Sequence, residues 1–412
     1  MPQGPPTPHT LLGLTPDGRL LFLTRCLRMF AYGFLSVVLV LYLKAVGLEE
    51  GQIGLLLTLT LLGDTAVSLW ITTSADRVSR RGIANSRGSA MLAGGLALAL
   101  TTDFLILLLA ATVAVISPSG NEVGPFLSIE QAALAQTVSD EERTRVFAWY
   151  NVVGQIAAAL GALAGGFVSE TLLREGYAGA DIYRPLAWAY GAVGLILALG
   201  FTRLSPAAEA PPGAAPASHR WLGLHRSHGV VFRLAGLFAL DAFGGGFVVQ
   251  SFVAYWFHVR FGANPATLGA IFFGANILAA VSSLAAASLA RRFGLINTMV
   301  FTHLPSNVLL LLVPLMPTLP LAILVLLLRF SISQMDVPTR QSYTMAVVAP
   351  DERSAAAGIT GVARSIGAGL APFLVGLMFR DEAWLSVPFF VAGGTKILYD
   401  VLLWRAFAAS DR

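Results

Sequence analysis

Long apolar segments recur along the whole chain, and their length is the feature that most restricts its fold. A helix needs about 20 apolar residues to cross a bilayer, so the 412 residues accommodate about twelve such spans with short loops. Only 12% of the residues are charged, against about 25% in soluble globular domains. The pattern therefore predicts an all-α membrane protein with twelve transmembrane helices. We place the spans at residues 19–44, 52–73, 84–101, 104–137, 143–169, 185–203, 229–258, 265–290, 295–317, 319–347, 353–380 and 384–406.

The basic residues are distributed unevenly between the loops on the two sides of the predicted membrane. Most loop arginines fall on the side that also carries both chain termini. Because cytoplasmic loops carry the excess of basic residues, both termini are predicted to be cytoplasmic. The same loops explain the net charge of +4 without a nucleic-acid surface. Met1–Pro16 shows no cleavable signal peptide, so the first span is expected to direct insertion into the inner or plasma membrane.

The two halves of the chain match each other on either side of one linker. Gly47 and Gly54 have counterparts 215 residues later, and Glu142 has a counterpart 210 residues later in Glu352. Repeats in the same orientation are related by an axis along the membrane normal, with the binding site expected between them near the midplane. We predict two pseudo-symmetric six-helix halves and a cytoplasmic linker, at residues 1–203, 229–412 and 204–228 respectively.

The fourth predicted span is too long for a straight helix. Its stretch Ser117–Gln131 contains two prolines, two glycines and the carboxylates Glu122 and Glu130. We predict two helical pieces around a break at Ser117–Pro125. Irregular backbone and charge at membrane depth are tolerated only where they are buried in protein or face a water-filled cavity. The stretch therefore predicts a cavity that the other spans surround.

The loop after the second span carries a recognisable motif. Ser74–Gly82 reads Ser-Ala-Asp-Arg-Val-Ser-Arg-Arg-Gly. With the repeat, it resembles the signature loop of the major facilitator superfamily, Gly-x-x-x-Asp-Arg-x-Gly-Arg-Arg, and the resemblance covers nearly the whole chain. It implies that family's transporter fold and a latch that closes the cytoplasmic side. The alternative is a set of arginines that only sets the topology, with one stray acid. The latch residues would be Asp76, Arg77, Arg80 and Arg81.

The fifth span is rich in glycine. Its residues Gly154, Gly161, Gly165 and Gly166 are similar to the exporter motif of the same family, Gly-Pro-x-x-Gly-Gly, with Ala162 in place of the proline. The resemblance implies export and a place where the two halves meet. Ordinary close packing of small residues is the alternative. The fourth span lacks the arginine that marks proton-driven exporters of the family and carries carboxylates instead.

Several charged residues fall inside predicted spans. Each costs about 2.5–3.5 kcal/mol at the bilayer centre, so each needs a reason to be there. One hypothesis is a shared cavity for substrate and protons, in which Asp241 and Asp336 lie deepest and are protonated. The alternative is a set of structural ion pairs, such as Glu130 with an arginine of the first span. Lys396 and Asp400, four residues apart, are a candidate local pair. The residues of the predicted pathway are Arg25, Arg28, Glu122, Glu130, Asp241, Asp336, Arg340 and Arg364.

These observations predict a secondary transporter of a small solute that works by alternating access, with proton-coupled efflux as the leading function. Proton-coupled uptake of an organic anion is one alternative, and a non-transporting receptor or assembly factor is another. The sequence contains no Ser/His/Asp set and no Gly-x-x-x-x-Gly-Lys-Ser/Thr loop, which disfavours an enzyme and ATP-driven transport. We expect no cofactor and no metal site. The expected partners are a small solute, protons and the bilayer but no nucleic acid, and the expected form is a monomer, with a dimer left open.

Overall fold

The computed structural model describes residues 14–74, 80–113, 116–120, 130, 134, 140–205 and 224–407. Within these residues the regular structure is helical, which confirms the all-α prediction. The α-helices are, in chain order, α1 Pro16–Ser36, α2 Leu39–Ala45, α3 Glu50–Ser74, α4 Arg80–Leu100, α5 Phe104–Val113, α6 Asp140–Arg174, α7 Arg184–Phe201, α8 His228–Gly246, α9 Gln250–Phe261, α10 Pro265–Phe293, α11 Leu295–Leu312, α12 Leu319–Ser333, α13 Asp336–Val347, α14 Arg353–Met378 and α15 Val387–Phe407.

The helices follow the predicted spans. Within the described residues, eight segments are long and apolar enough to cross a membrane, or nine if α1 and α2 form one span with a 50° bend. These segments correspond to the first and the fifth to twelfth predicted spans. Helices α3 and α4, of 25 and 21 residues, lie where the second and third spans are predicted. Helix α5 begins the fourth span.

Three spans are interrupted near their middles, and the sequence did not predict these breaks. They separate α1 from α2 at residues 37–38, α8 from α9 at 247–249, and α12 from α13 at 334–335. The predicted break in the fourth span is present at residues 116–120, which are non-helical, and mostly buried. Gly120 has a left-handed φ of 67°, a conformation that glycine adopts without steric cost.

Two glycine pairs bring the halves into close contact. A Cβ added to Gly54 of α3 would lie 2.9 Å from the Cα of Gly376 in α14, and a Cβ added to Gly166 of α6 would lie 2.8 Å from the Cα of Gly269 in α10. Gly54 and Gly269 correspond in the two repeats. The two contacts are therefore related by the pseudo-symmetry, and small residues allow the backbones to approach at both.

The other glycines of the fifth span pack inside their own half. A Cβ on Gly161 or Gly165 would collide with the backbone of Phe30 or Phe34 in α1, at 2.0 and 2.2 Å from the carbonyl oxygens. A Cβ on Gly154 would meet the Arg25 side chain instead. Of the four glycines of the exporter-like stretch, Gly166 is therefore the one that lies against the opposite half.

The end of the linker is tied to the C-terminal half by Glu352. Its buried carboxylate accepts hydrogen bonds from the backbone N–H groups of His225, Arg226 and Ser227 before the start of α8, the last two at 2.7 and 2.9 Å. Desolvation by burial acts against ionisation, but the Ser227 side chain and these N–H groups lower the pKa of Glu352 to about 2. The carboxylate thus supplies acceptors for the N–H groups of the N-cap residue Ser227 and of the two residues that precede it.

Candidate functional site

The N-terminal half contains a buried ion pair between the first and fourth spans. The Arg28 guanidinium donates to both carboxylate oxygens of Glu130, at 2.6 and 2.7 Å, and the two side chains are 0% and 1% exposed. The Tyr150 hydroxyl of α6 also donates to Glu130. The arrangement is bidentate, the strong geometry for an arginine and a carboxylate. The hypothesised pairing of Glu130 with an arginine of the first span is present.

Arg25 lies one turn from Arg28 on the same face of α1 but contacts α6. Its Nε donates to the Tyr150 carbonyl oxygen at 2.8 Å, and its guanidinium lies 4.4 Å from the centroid of the Tyr150 ring. Its terminal nitrogen is 3.4 Å from the Asn151 side-chain oxygen. Arg25 therefore packs α1 against α6 through backbone and aromatic contacts.

The C-terminal half gathers buried charges from several helices around Asp241 of α8. One carboxylate oxygen of Asp241 lies 2.6 Å from the Lys396 ammonium and 3.7 Å from Nε2 of His303. The other oxygen lies 3.1 Å from Arg340 and 3.3 Å from Arg364. These contacts join α8 to α11, α13, α14 and α15. We call these five residues, together with Asp336, Asp400 and Asn307, the charge cluster.

Two further carboxylates complete the charge cluster. Asp400 lies 2.8 Å from Nδ1 of His303 and accepts a hydrogen bond from Asn307 at 2.9 Å. Asp336 lies 2.9 Å from Arg340, one turn away on α13. The candidate local pair of Lys396 with Asp400 is wrong, because Lys396 bonds to Asp241 across the interior, while Asp400 bonds to α11.

The ion pairs of the two halves occupy corresponding places. Arg28 of the first span pairs with Glu130 of the fourth, and Asp241 of the seventh span pairs with Arg340 of the tenth. Arg340 is the counterpart of Glu130, 210 residues later in the chain. The acid and the base have therefore exchanged helices between the repeats, while the contact that joins the first and fourth helices of each half is retained.

Arg364 is the most exposed of the cations around Asp241. Its side chain is 35% exposed, whereas those of Arg340 and Lys396 are 7% and 9% exposed. Gly361, one turn earlier on α14, has open space where a side chain would be. The exposed apolar residue Ile366 follows Gly361 by five positions. At 100° per residue it therefore lies about 140° around the helix from Gly361. The open space beside Gly361 and Arg364 is thus distinct from the lipid-facing side of α14.

Arg329 adds a fourth basic side chain near the charge cluster. It shares one face of α12 with the buried residues Ala322 and Leu326, and its charge interacts with Asp241 and Asp336. Within the described residues, its buried Nε has no hydrogen-bond partner. Four basic side chains therefore lie near three carboxylates here: Arg329, Arg340, Arg364 and Lys396 near Asp241, Asp336 and Asp400.

The halves meet near the end of the bundle that carries the loop 46–49, which we call the 46–49 face. Gln250 at the start of α9 donates to the Ser36 hydroxyl at 2.8 Å, and the Ser251 N–H donates to the Pro118 carbonyl oxygen at 3.1 Å. The non-helical segment 116–120 is thus buried at the breaks of the first and seventh spans. These hydrogen bonds seal the bundle beside two helix breaks, where backbone groups need partners.

Nearer the same face, Tyr255 of α9 donates to Glu50 of α3 at 3.1 Å, and Glu50 also pairs with Lys44 at 2.7 Å. The Phe373 N–H donates to Thr58 at 2.9 Å between α14 and α3.

The open space at Gly361 lies on α14 towards the opposite end of the bundle, which we call the linker face. Among the described residues, the contacts between halves thus concentrate on the 46–49 face, and the space beside Arg364 opens towards the linker face.

Some predicted site residues cannot be placed. Glu122, Asp76 and Arg77 lie outside the described residues. Arg80 begins α4 and Arg81 follows it, with only their backbone described. The latch and the part played by Glu122 stay predictions.

The sequence analysis missed His303, which links two carboxylates of the charge cluster. It is the one histidine of α11, a helix that otherwise reads as an apolar span. An ionisable residue inside a span suggests function by default, so this signal was available. Gln250, a neutral residue at the helix break, offered no comparable signal.

Comparison with known proteins places this architecture. The family model of the Major Facilitator Superfamily matches residues 21–372. The chain belongs to the Major Facilitator Superfamily. Membership makes it a multi-pass membrane transporter rather than an enzyme, with twelve transmembrane helices in two pseudo-symmetric halves. A relative in Saccharomyces cerevisiae, Uncharacterized membrane protein YJR124C, is 29% identical over 96% of this chain and 95% of its own length.

Solved structures share the superfamily fold. The nucleoside transporter NupG is 15% identical, with a TM-score of 0.71 over 95% of this chain and 99% of its own. A D-xylose-proton symporter is 14% identical, with a TM-score of 0.70 over 94% of this chain and 97% of its own. A bacterial homolog of the human lysosomal transporter Spinster, inward-facing and occupied, is 17% identical, with a TM-score of 0.72 over 96% of this chain and 97% of its own. At these identities the likeness concerns the fold alone.

Proposed function

We propose that this chain is a secondary transporter that couples proton movement to the uptake of a small organic anion. The observation that carries the proposal is the excess of cations over carboxylates in the charge cluster and Arg329, with Arg364 facing an open space. Positive charge inside a membrane is costly and usually has a partner. Arg364 has Asp241 as its partner in this state, and an anionic group of the solute takes that place when the arginine turns to the open space.

The charge cluster also supports the proposed coupling to protons. Asp241 is in contact with two arginines and a lysine, and Asp400 with a histidine and an amide. Adding one proton to this set raises its net charge by one, which favours an anion in the adjoining space. Removing the proton has the opposite effect. The affinities for proton and anion are linked in this way, and the linkage is reciprocal.

Alternating access follows from the arrangement of the halves. Residues 1–203 and 229–412 rock relative to each other, so that the contacts Gly54–Gly376 and Gly166–Gly269 are closed in one state and part in the other. The arginine distribution assigns the linker face, and with it both termini, to the cytoplasm of a cell with this protein in its inner or plasma membrane. The open side then faces the cytoplasm, and the latch Asp76–Arg81 closes it in the other state. The monomer contains both halves and suffices for this cycle.

Proton-coupled efflux is the second candidate. The observation in its favour is Gly166, the last glycine of the exporter-like stretch, which packs against Gly269 of the opposite half. In that case the proton and the solute compete for the charge cluster instead of binding together.

Proteoliposomes with a pH dye inside test both candidates. Small organic anions, such as mono- and dicarboxylates and sugar phosphates, are added outside at equal pH. Uptake with protons acidifies the lumen, whereas exchange for protons makes it alkaline, and this sign does not depend on the orientation of the protein. The Arg364→Gln variant is expected to lose anion-dependent flux, and Arg405→Gln, which changes an exposed arginine of α15, is expected to keep it. Flux with cations or neutral solutes only, unaffected by Arg364→Gln, contradicts the proposal.

A further inference from the structure

The imidazole of His303 lies between two buried carboxylates, one on each ring nitrogen. Nδ1 lies 2.8 Å from Asp400 of α15, and Nε2 lies 3.7 Å from Asp241 of α8. Asn307, one turn further on α11, donates to the second oxygen of Asp400 at 2.9 Å. The His303 side chain is 5% exposed, so its ring is fixed among these groups.

The hydrogen-bonding capacity of the ring differs between its two charge states. A neutral imidazole has one N–H donor, and the imidazolium has two. With the single proton on Nδ1, the ring donates to Asp400 and presents a lone pair towards Asp241. With a second proton on Nε2, the ring faces each carboxylate with a donor. From this geometry we infer that His303, oriented by Asp400, is the group that binds and releases the coupled proton.

The inference rests on the proposed function and assigns its coupling ion to one side chain. The Asp241 oxygen that faces Nε2 is the oxygen that Lys396 holds at 2.6 Å. A proton on Nε2 gives this carboxylate a further cationic neighbour. The attraction of the carboxylate is then shared among more donors. Of its contacts with Arg340, Arg364 and Lys396, that of Arg364 is the longest, at 3.3 Å, and the most exposed, so it is the first to loosen. Arg364 is released towards the open space, where it binds the anion.

The charges around His303 come from five of the neighbouring helices, α8, α12, α13, α14 and α15. Helix α10 has its only charged residues, Arg291 and Arg292, at its exposed end. The Tyr399 ring contacts the imidazole edge to face, with centroids 5.9 Å apart. The remaining charged groups of the surroundings are Asp241 on α8, Arg329 on α12, Asp336 and Arg340 on α13, Arg364 on α14, and Lys396 and Asp400 on α15.

The test separates proton coupling from solute binding. The full-length protein is reconstituted with a solute from the anion screen, and two rates are measured: counterflow of labelled solute at equal pH, and solute-dependent proton flux. A carrier held in one protonation state still exchanges solute, with a lower affinity where the proton is absent, but does not move protons. Counterflow is therefore measured at saturating solute. His303→Gln removes the titratable ring, and Asp400→Asn keeps the shape of the orienting group without its charge. His258→Gln, which changes an exposed histidine near the 46–49 face, is the matched control.

We expect His303→Gln and Asp400→Asn to lower proton flux at least tenfold and to keep counterflow within about twofold of the wild type. His258→Gln should keep both rates. Preserved counterflow also shows that a variant is folded. Unchanged proton flux per solute in both variants overturns the inference and leaves the proposed function intact. Loss of both rates in both variants also overturns it, since the pair then serves solute binding or structure. Counterflow without proton flux in the wild type overturns the proposed coupling and the inference together.

Discussion

The glycine contact between α6 and α10 allows a quantitative test of how the halves close. In Gly166→Ala the new Cβ would lie 2.3 Å from the Pro265 carbonyl oxygen and 2.8 Å from the Cα of Gly269. Both atoms belong to helix backbone, so neither moves without its helix. An ordinary contact needs about 3.4 Å or more, and α6 and α10 must therefore separate by about 1 Å at this point.

The expected energetic cost follows from that separation. Overpacking a tight contact costs about 1–3 kcal/mol. The cost applies to the state in which the halves meet at the 46–49 face and is relieved when they part there. Because this free energy is added to one state only, the ratio of the populations of the two states changes about 5- to 150-fold. Gly166→Ala should therefore shift the population towards opening of the 46–49 face.

Distance measurements by pulsed electron resonance check this shift. Spin labels on Glu49→Cys and Val259→Cys, in a Cys26→Ser background, report the separation of the halves at the 46–49 face in nanodiscs. Gly166→Ala should increase the long-distance population. The control is Gly236→Ala in α8, where an added Cβ meets open space. If both variants give the wild-type distribution, the halves do not separate at the α6–α10 contact, and the reasoning from backbone collision is refuted.

Three further predictions concern other contacts. Arg28→Met should destabilise the fold by about 3–5 kcal/mol by leaving Glu130 charged and unpaired, and Arg28→Met with Glu130→Met should recover most of that loss in chemical unfolding. Glu352→Gln should lower the thermal stability at pH 7. Because the pKa of Glu352 is lowered to about 2, the contribution of its charge is complete above its ordinary pKa and is lost as the pH falls towards 2, so the difference from the wild type should shrink over that range. Gln250→Ala removes the hydrogen bond to Ser36 and should raise the labelling rate of cysteines introduced at the 46–49 face severalfold. An unchanged labelling rate counts against a sealing role for this hydrogen bond.

Several features of this protein follow from the sequence alone. Apolar runs, prolines and basic loops are local properties, so they predict the membrane spans and their helical character before any packing is known. The spacing of the two repeats identified Gly54 with Gly269 and Glu130 with Arg340. The structure shows that the glycines form equivalent contacts, and that Glu130 and Arg340 pair with charges on the first helix of their own halves.

The partners within the charge cluster were decided by the tertiary structure. Spacing along a helix brings only residues three or four apart to the same face, which suggested the wrong pair of Lys396 with Asp400. In the folded chain, Asp241 instead meets side chains from four other helices, separated from it by 62 to 155 residues. Such distances in sequence carry no signal of proximity, so the role inferred for His303 became visible only when the helices were packed. Two of the unpredicted helix breaks likewise depend on packing, since the N–H groups of Ser251 and Gln334 donate to Pro118 and Ser282 of distant segments.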